Sequence, residues 1–175
     1  MKVIDGFITN SSSSVFIVAF PKQPDNAADV QQMMFKNQTF WPHPYPEYYE
    51  GADGLYGVVA SELIAQVVYN DIASQTPNKS DDEIIAQIER GSFPGEPDHE
   101  WEKTRDLEID AAQQHWIQLD KKIHAAASKL FKEFRAKNPN SVIYAFEYED
   151  HGDLGVMLEH GDIFHFLPHI RSSCH

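Results

Sequence analysis

Five of the nine histidines, the single cysteine and two copies of His-Gly-Asp fall within residues 151–175. Imidazole, carboxylate and thiolate are the donors that zinc accepts, and around a bound water they also supply general acid-base chemistry. The copies His151-Gly152-Asp153 and His160-Gly161-Asp162 each carry the Gly and Asp of a hairpin connection between apolar runs. The runs at 142–148, 154–159 and 163–167 are short and β-branched or aromatic, so the pattern predicts a three-stranded antiparallel meander. At about 3.3 Å per residue the two turns lie roughly 20 Å apart, so one ion cannot serve both. The third strand returns toward the first turn. That gathers His151, Asp153, His169, Cys174 and His175 as the candidate ligand set for zinc or another divalent metal. The spacing matches no zinc-finger or metalloprotease pattern. The competing use of these residues is structural, as turn and tail groups or, for His165, as a partly buried imidazole on a strand face. No other cofactor is expected.

These residues need a frame. VFIVAF at 15–20 is an uninterrupted apolar run, which predicts a strand buried on both faces at the centre of the same sheet. Pro21 and Pro24 end it, and Asp25 or Asn26 can cap a helix to about Gln38 that turns Val30, Met33 and Met34 inward. In FWPHPYPEYYEG, Pro42, Pro44 and Pro46 alternate with aromatics. Proline lacks the ladder donor, so an extended, polyproline-like loop is expected, offering Trp41, Tyr45, Tyr48 and Tyr49 either to the core or to a partner. Residues 55–74 have the broad apolar face of a core helix. Ser80 and Glu83 have the spacing of a capping box that opens a further helix, closed at Gly91.

From Asp98 to Lys137 there is neither Gly nor Pro, and Ile109, Ala112, Trp116, Leu119, Ile123, Ala126, Leu130 and Phe134 follow three-four spacing. One helix of that length would span about 60 Å, longer than a domain of this size. A projecting helical segment around 98–115 is therefore expected, with Glu100, Glu102 and Asp106 on it as a solvated acidic face, a docking arm or a homodimer seam. The fold class is α+β: a mainly antiparallel sheet, made of the N-terminal strand and the C-terminal meander, packed with about four helices, one very long. Residues 1–175 form a single domain in this reading.

Composition bounds the function. A net charge of −13 disfavours binding to nucleic acid or anionic lipid, which needs clustered Lys and Arg. One cysteine forms no intramolecular disulfide, and no apolar run approaches the roughly 20 residues that span a bilayer, so a cytoplasmic location is expected.

The opening GFITNSSSSVF, Gly6 to Phe16, resembles the start of a scattered group of small bacterial and phage proteins that begin Gly-Phe-Val/Ile-Thr-Asn, a serine run and an aromatic. The resemblance covers these eleven residues. It implies a bacterial or phage source and transfers no catalytic residues. Asn10, Ser11, Ser12, Ser13 and Ser14 offer hydroxyls and consecutive amides that could cradle an anion, although the glycines and lysine of a phosphate-binding loop are missing. The alternative is a polar turn whose hydroxyls bond neighbouring backbone.

Two functions of different class follow. The first is an acidic cytoplasmic interaction protein, a phage or bacterial regulatory or inhibitory factor, that binds another protein through its acidic helix and aromatic loop. The second is a small metal-dependent hydrolase or nucleotide-processing enzyme built on the C-terminal histidines and carboxylates. With no nucleophile elbow and its only thiol near residue 175, the chain leans away from enzyme.

Overall fold

The computed structural model describes residues 13–48, 56–75, 79–90 and 107–174. Strand β1 (Ser13–Phe20) lies between β4 (Val142–Glu149) and β5 (His169–Cys174), antiparallel to both. The central place follows from composition: every residue from Ser14 to Phe20 is buried, which only a strand covered on both faces allows. Strand periodicity then sorts the side chains. Phe16, Val18 and Phe20 join Tyr144, Phe146 and Tyr148 in one core, while Val15, Ile17 and Ala19 join Ile143 and Ala145 in the other.

The first core is covered by α1 (Ala27–Phe35) and α2 (Ser61–Ser74), which supply Val30, Met34, Phe35, Ile64, Val68 and Ile72. Asn26 caps α1 by accepting from the Asp29 amide at 2.9 Å. The second core is covered by α3 (Asp81–Arg90) and α4 (Ile109–Lys137), through Ile84, Ile85, Ile88, Ala127, Phe131 and Phe134. The expected capping box starts α3: the Ser80 amide donates to Glu83 Oε2 at 2.8 Å and the Glu83 amide to Ser80 Oγ at 3.3 Å.

The antiparallel α+β class with one long helix holds. The meander does not. Residues 152–160 form helix α5 (Gly152–His160), and 163–167 form a turn closed by the His165 amide on Asp162 O and the Leu167 amide on Phe164 O. The two His-Gly-Asp copies are the two ends of that helix rather than two hairpins. The reason is packing. Met157, Leu158 and Glu159 are buried in succession, which a strand with one solvated face does not allow, and Leu154, Met157 and Leu158 stand at helical spacing toward the aromatic face of β1 and β4. The final strand is therefore His169–Cys174, reached after Pro168, and β1 separates it from β4.

Residues Val58 and Val59 also leave the helix expected for 55–74. They form β3 (Val58–Ala60), paired with β2 (Phe40–Pro42), with Trp41 opposite Val59. Gly57 sets this break. Its φ is +69°, and a Cβ there would stand 2.7 Å from Pro46 Cβ.

Helix α4 is unbroken from Ile109, and its 29 residues span about 43 Å. Only Leu119, Ala127, Phe131 and Phe134 are buried, so its first ten residues overhang the core. Of the segment expected to project, 107–115 is described and 98–106 lies outside the described residues. No helix among the described residues is long and apolar enough to cross a membrane.

Candidate functional site

Among the described residues, the ligand set read from the sequence is not brought together. His151 is the N-cap residue of α5, and its exposed Nδ1 meets Glu149 Oε2 at 2.8 Å. His169 opens β5 opposite Val18, its Nδ1 2.9 Å from Leu167 O. Cys174 lies opposite Ser13, five residues and about 17 Å further along the strand. Asp153 is exposed in the first turn of α5, and His175 lies outside the described residues. His165 is exposed too, bonded through Nδ1 to Asp162 Oδ2 at 3.0 Å, not half-buried on a strand face.

The aromatic segment divides. Trp41 is a core residue, 7% exposed, packed on Phe35 and Phe166, and its Nε1 donates to Gly161 O at 2.6 Å. Most of its surface is thus committed to the core, with the remainder on a cleft it shares with Gln38, Pro42 and His165. Tyr45 is exposed and stands 6.1 Å from His160 between ring centres, and Tyr48 ends a short 3-10 turn, Pro46–Tyr48. Tyr49, Glu100, Glu102 and Asp106, with Asn10, Ser11 and Ser12 of the serine run, lie outside the described residues.

The remaining serines have a role the anion reading did not foresee. Ser13 begins β1, and Ser14 is fully buried on the Phe16 face, where the apolar run gives way to small polar residues. Its hydroxyl donates to Glu159 Oε1 at 3.1 Å. Ser14 Oγ accepts in turn from Arg171 Nε at 3.4 Å and Nη2 at 3.3 Å, and Ser173 Oγ lies 3.4 Å away. A hydroxyl committed to a carboxylate does not cradle an anion.

Glu159 is the centre of this cluster. Its side chain has no exposure, Oε2 has no hydrogen-bond partner among the described residues, and that oxygen sits 3.6 Å from His160 Nε2. Asp150, half-buried, completes a group in which one ligand atom each from Asp150, Glu159 and His160 all lie within 4.8 Å of one another. Two carboxylates and an imidazole are hard and borderline donors, suited to a divalent cation or to proton exchange with solvent.

The geometry depends on Gly155. The start of α5 turns back across the end of β4, and a Cβ at Gly155 would stand 2.5 Å from Glu149 O. Without a side chain there the helix lies against the Glu149–Asp150 backbone, and its far end reaches Asp150. The reading of 154–159 as a strand hid this site, because strand alternation says nothing of a buried Glu159. The helical spacing of Leu154, Met157 and Leu158 was the available signal.

A second polar feature borders the same core at Tyr148, the residue of β4 that lies opposite Ser14. Tyr148 donates to Asp71 Oδ2 at 3.0 Å, beside a shallow cleft of about 380 Å³ lined by Val67, Gln75, Phe146 and Leu158. Partial burial pushes the Asp71 carboxyl above its usual range, against the pull of the Tyr148 bond, and burial together with Asp71 pushes the Tyr148 phenol well above its own. A carboxyl raised in the folded state contributes stability below its unfolded value, 3.8, and loses it as pH rises through the folded one. Asp71→Asn should therefore raise stability at pH 7 by less than about 1 kcal/mol, discounted for partial solvent screening, and leave it unchanged near pH 3.5. Urea unfolding at the two pH values measures this.

Comparison with protein-family models, with curated proteins and with solved structures gave no match to this chain.

Proposed function

We propose that this chain is an acidic interaction protein, a regulatory or inhibitory factor of bacterial or phage origin, that engages another protein chain through the overhanging start of α4. The observation that carries the reading is the apolar stripe there. Ile109 is 84% exposed and Trp116 39%. Seven residues apart, they continue the stripe that Phe131 and Phe134 bury further along the helix. An apolar stripe maintained for about 15 Å beyond the core, at a cost in solubility, fits a surface that is covered in use.

Charge favours a second copy as the first occupant. Glu108 and Asp110 stand at the start of the helix, and Lys121 and Lys122 follow about 18 Å further on, all exposed. Antiparallel pairing of two copies sets the acids of one against the lysines of the other, as interhelical charges do in coiled coils. The acidic residues before α4, including Glu100, Glu102 and Asp106, extend this negative end in sequence.

Light scattering after gel filtration tests the proposal. Wild type should elute as a dimer or carry a stoichiometric protein partner. Ile109→Glu/Trp116→Glu, exposed positions whose change leaves the core intact, should be folded by circular dichroism and shift to a free monomer. A folded double variant that keeps the wild-type mass and partners would refute the reading.

A further inference from the structure

We propose that Asp150, Glu159 and His160 form a binding site for one first-row divalent cation of the zinc class. Burying a carboxylate away from water is costly unless its oxygens are satisfied. Among the described residues the Glu159 carboxylate accepts one hydrogen bond, from Ser14, and that bond occupies Oε1 alone. Oε2 is buried and without a hydrogen-bond partner, and it faces the imidazole of His160. Arg171, the nearby cation, is engaged elsewhere: it bonds Ser14, lies 5.5 Å over the Phe16 ring, and touches His160 Nδ1 only at 3.5 Å. A divalent ion between Oε2, the Asp150 carboxylate and His160 neutralises both acids and supplies the missing partner.

The donor set selects the ion. Magnesium and calcium prefer all-oxygen shells of six or more, whereas one imidazole with two carboxylates suits zinc and its neighbours in the first row. Three protein ligands leave one tetrahedral position for water. The present separations, all within 4.8 Å, need to close by about 1 Å to meet zinc–ligand bonds of about 2.0–2.2 Å. Asp150 and His160 are partly exposed and have room to make that movement, and they also give the ion its path from solvent. The Ser14 hydroxyl fixes the Glu159 carboxylate from behind, which is the usual task of a residue one shell out from a metal. Ser14 reaches Glu159 across 145 residues, so the carboxylate is held in this orientation only in the folded state.

The test uses the untagged full chain, stripped with chelator and titrated with Zn²⁺ by calorimetry and with Co²⁺ by visible absorption. One ion per chain should bind, with a Co²⁺ spectrum free of thiolate charge-transfer bands. Asp150→Asn should weaken binding by more than about 100-fold, since loss of a mere supporting residue already costs 10–100-fold. His160→Gln should do the same, and provides a second variant should the first fold poorly. His151→Ala/His169→Ala and Cys174→Ser, which alter the ligands suggested by spacing alone, should bind as wild type does. The proposal is overturned by the absence of saturable binding, or by binding that survives in folded Asp150→Asn and His160→Gln. Binding lost in the Cys174 or His151/His169 variants instead overturns it equally. The site and the α4 surface lie on opposite faces of the sheet, so either can fail without the other.

Discussion

Trp41→Ala is expected to lower the unfolding free energy by about 3–5 kcal/mol, the range for emptying a large aromatic site in a packed core. Trp41 is 7% exposed and sits between Phe35 of α1 and Phe166 of the turn before β5. Its indole N–H reaches Gly161 O at the end of α5, so one side chain ties the β2–β3 ribbon to the helix that carries Glu159 and His160. Trp41→Phe separates the two contributions. It keeps most of the packing and leaves a carbonyl unsatisfied, for a cost of about 1–2 kcal/mol. Urea unfolding of both variants gives the magnitudes. If Trp41→Ala changed stability by under about 1 kcal/mol while weakening a partner complex, the residue would belong to a docking surface after all.

The second large effect is expected at Gly155. A Cβ there would stand 2.5 Å from Glu149 O and 3.4 Å from the Asp150 carbonyl carbon, and backbone cannot swing aside as a side-chain end does. Gly155→Ala gains about 1 kcal/mol of helix propensity and loses more to overlap. Gly155→Val adds branching and loses that propensity gain, so a cost above about 3 kcal/mol is expected. Relief comes from lifting α5 off the end of β4, which parts Asp150 from Glu159. Calorimetric Zn²⁺ titration of Gly155→Ala, the milder and better folded variant, should thus show weaker binding alongside a lower melting temperature. A Gly155→Val protein as stable as wild type would mean that the approach of helix to strand is not as close as described.

These two residues also mark where sequence reasoning reached its limit. Trp41, with Pro42, Pro44 and Pro46 after it, falls in a segment read as an extended loop that offers its aromatics either to the core or to a partner, because proline excludes a helix interior or a central strand. That exclusion held, since Pro42 ends a short two-stranded ribbon. Whether the indole turned inward was a question of what lay beneath it, and Phe35 and Phe166 answer that. Gly155 lay inside a six-residue run where periods of two and of 3.6 both fit the apolar positions. Helix or strand was there decided by the aromatic face of β1 and β4 that it covers. The histidines follow from that choice: a meander would have carried His169 and Cys174 back to His151, whereas β1 between β4 and β5 keeps them apart.

By itself the sequence determined what depends on neighbours along the chain. The both-faced apolar run of β1, a cap at Asp25 or Asn26, the Ser80–Glu83 capping box, the α+β class and a long helix ending near Lys137 were legible because hydrogen bonds within four residues and simple periodicity dictate them, whereas the continuity of that helix from Ile109 was not. Tertiary structure alone decided what depends on partners far apart. Ser14 meets Glu159 across 145 residues, and Trp41 meets Gly161 across 120. No local pattern encodes such pairings, because they arise only when the helices close over the Phe16 face of the sheet and bury the Glu159 carboxylate there.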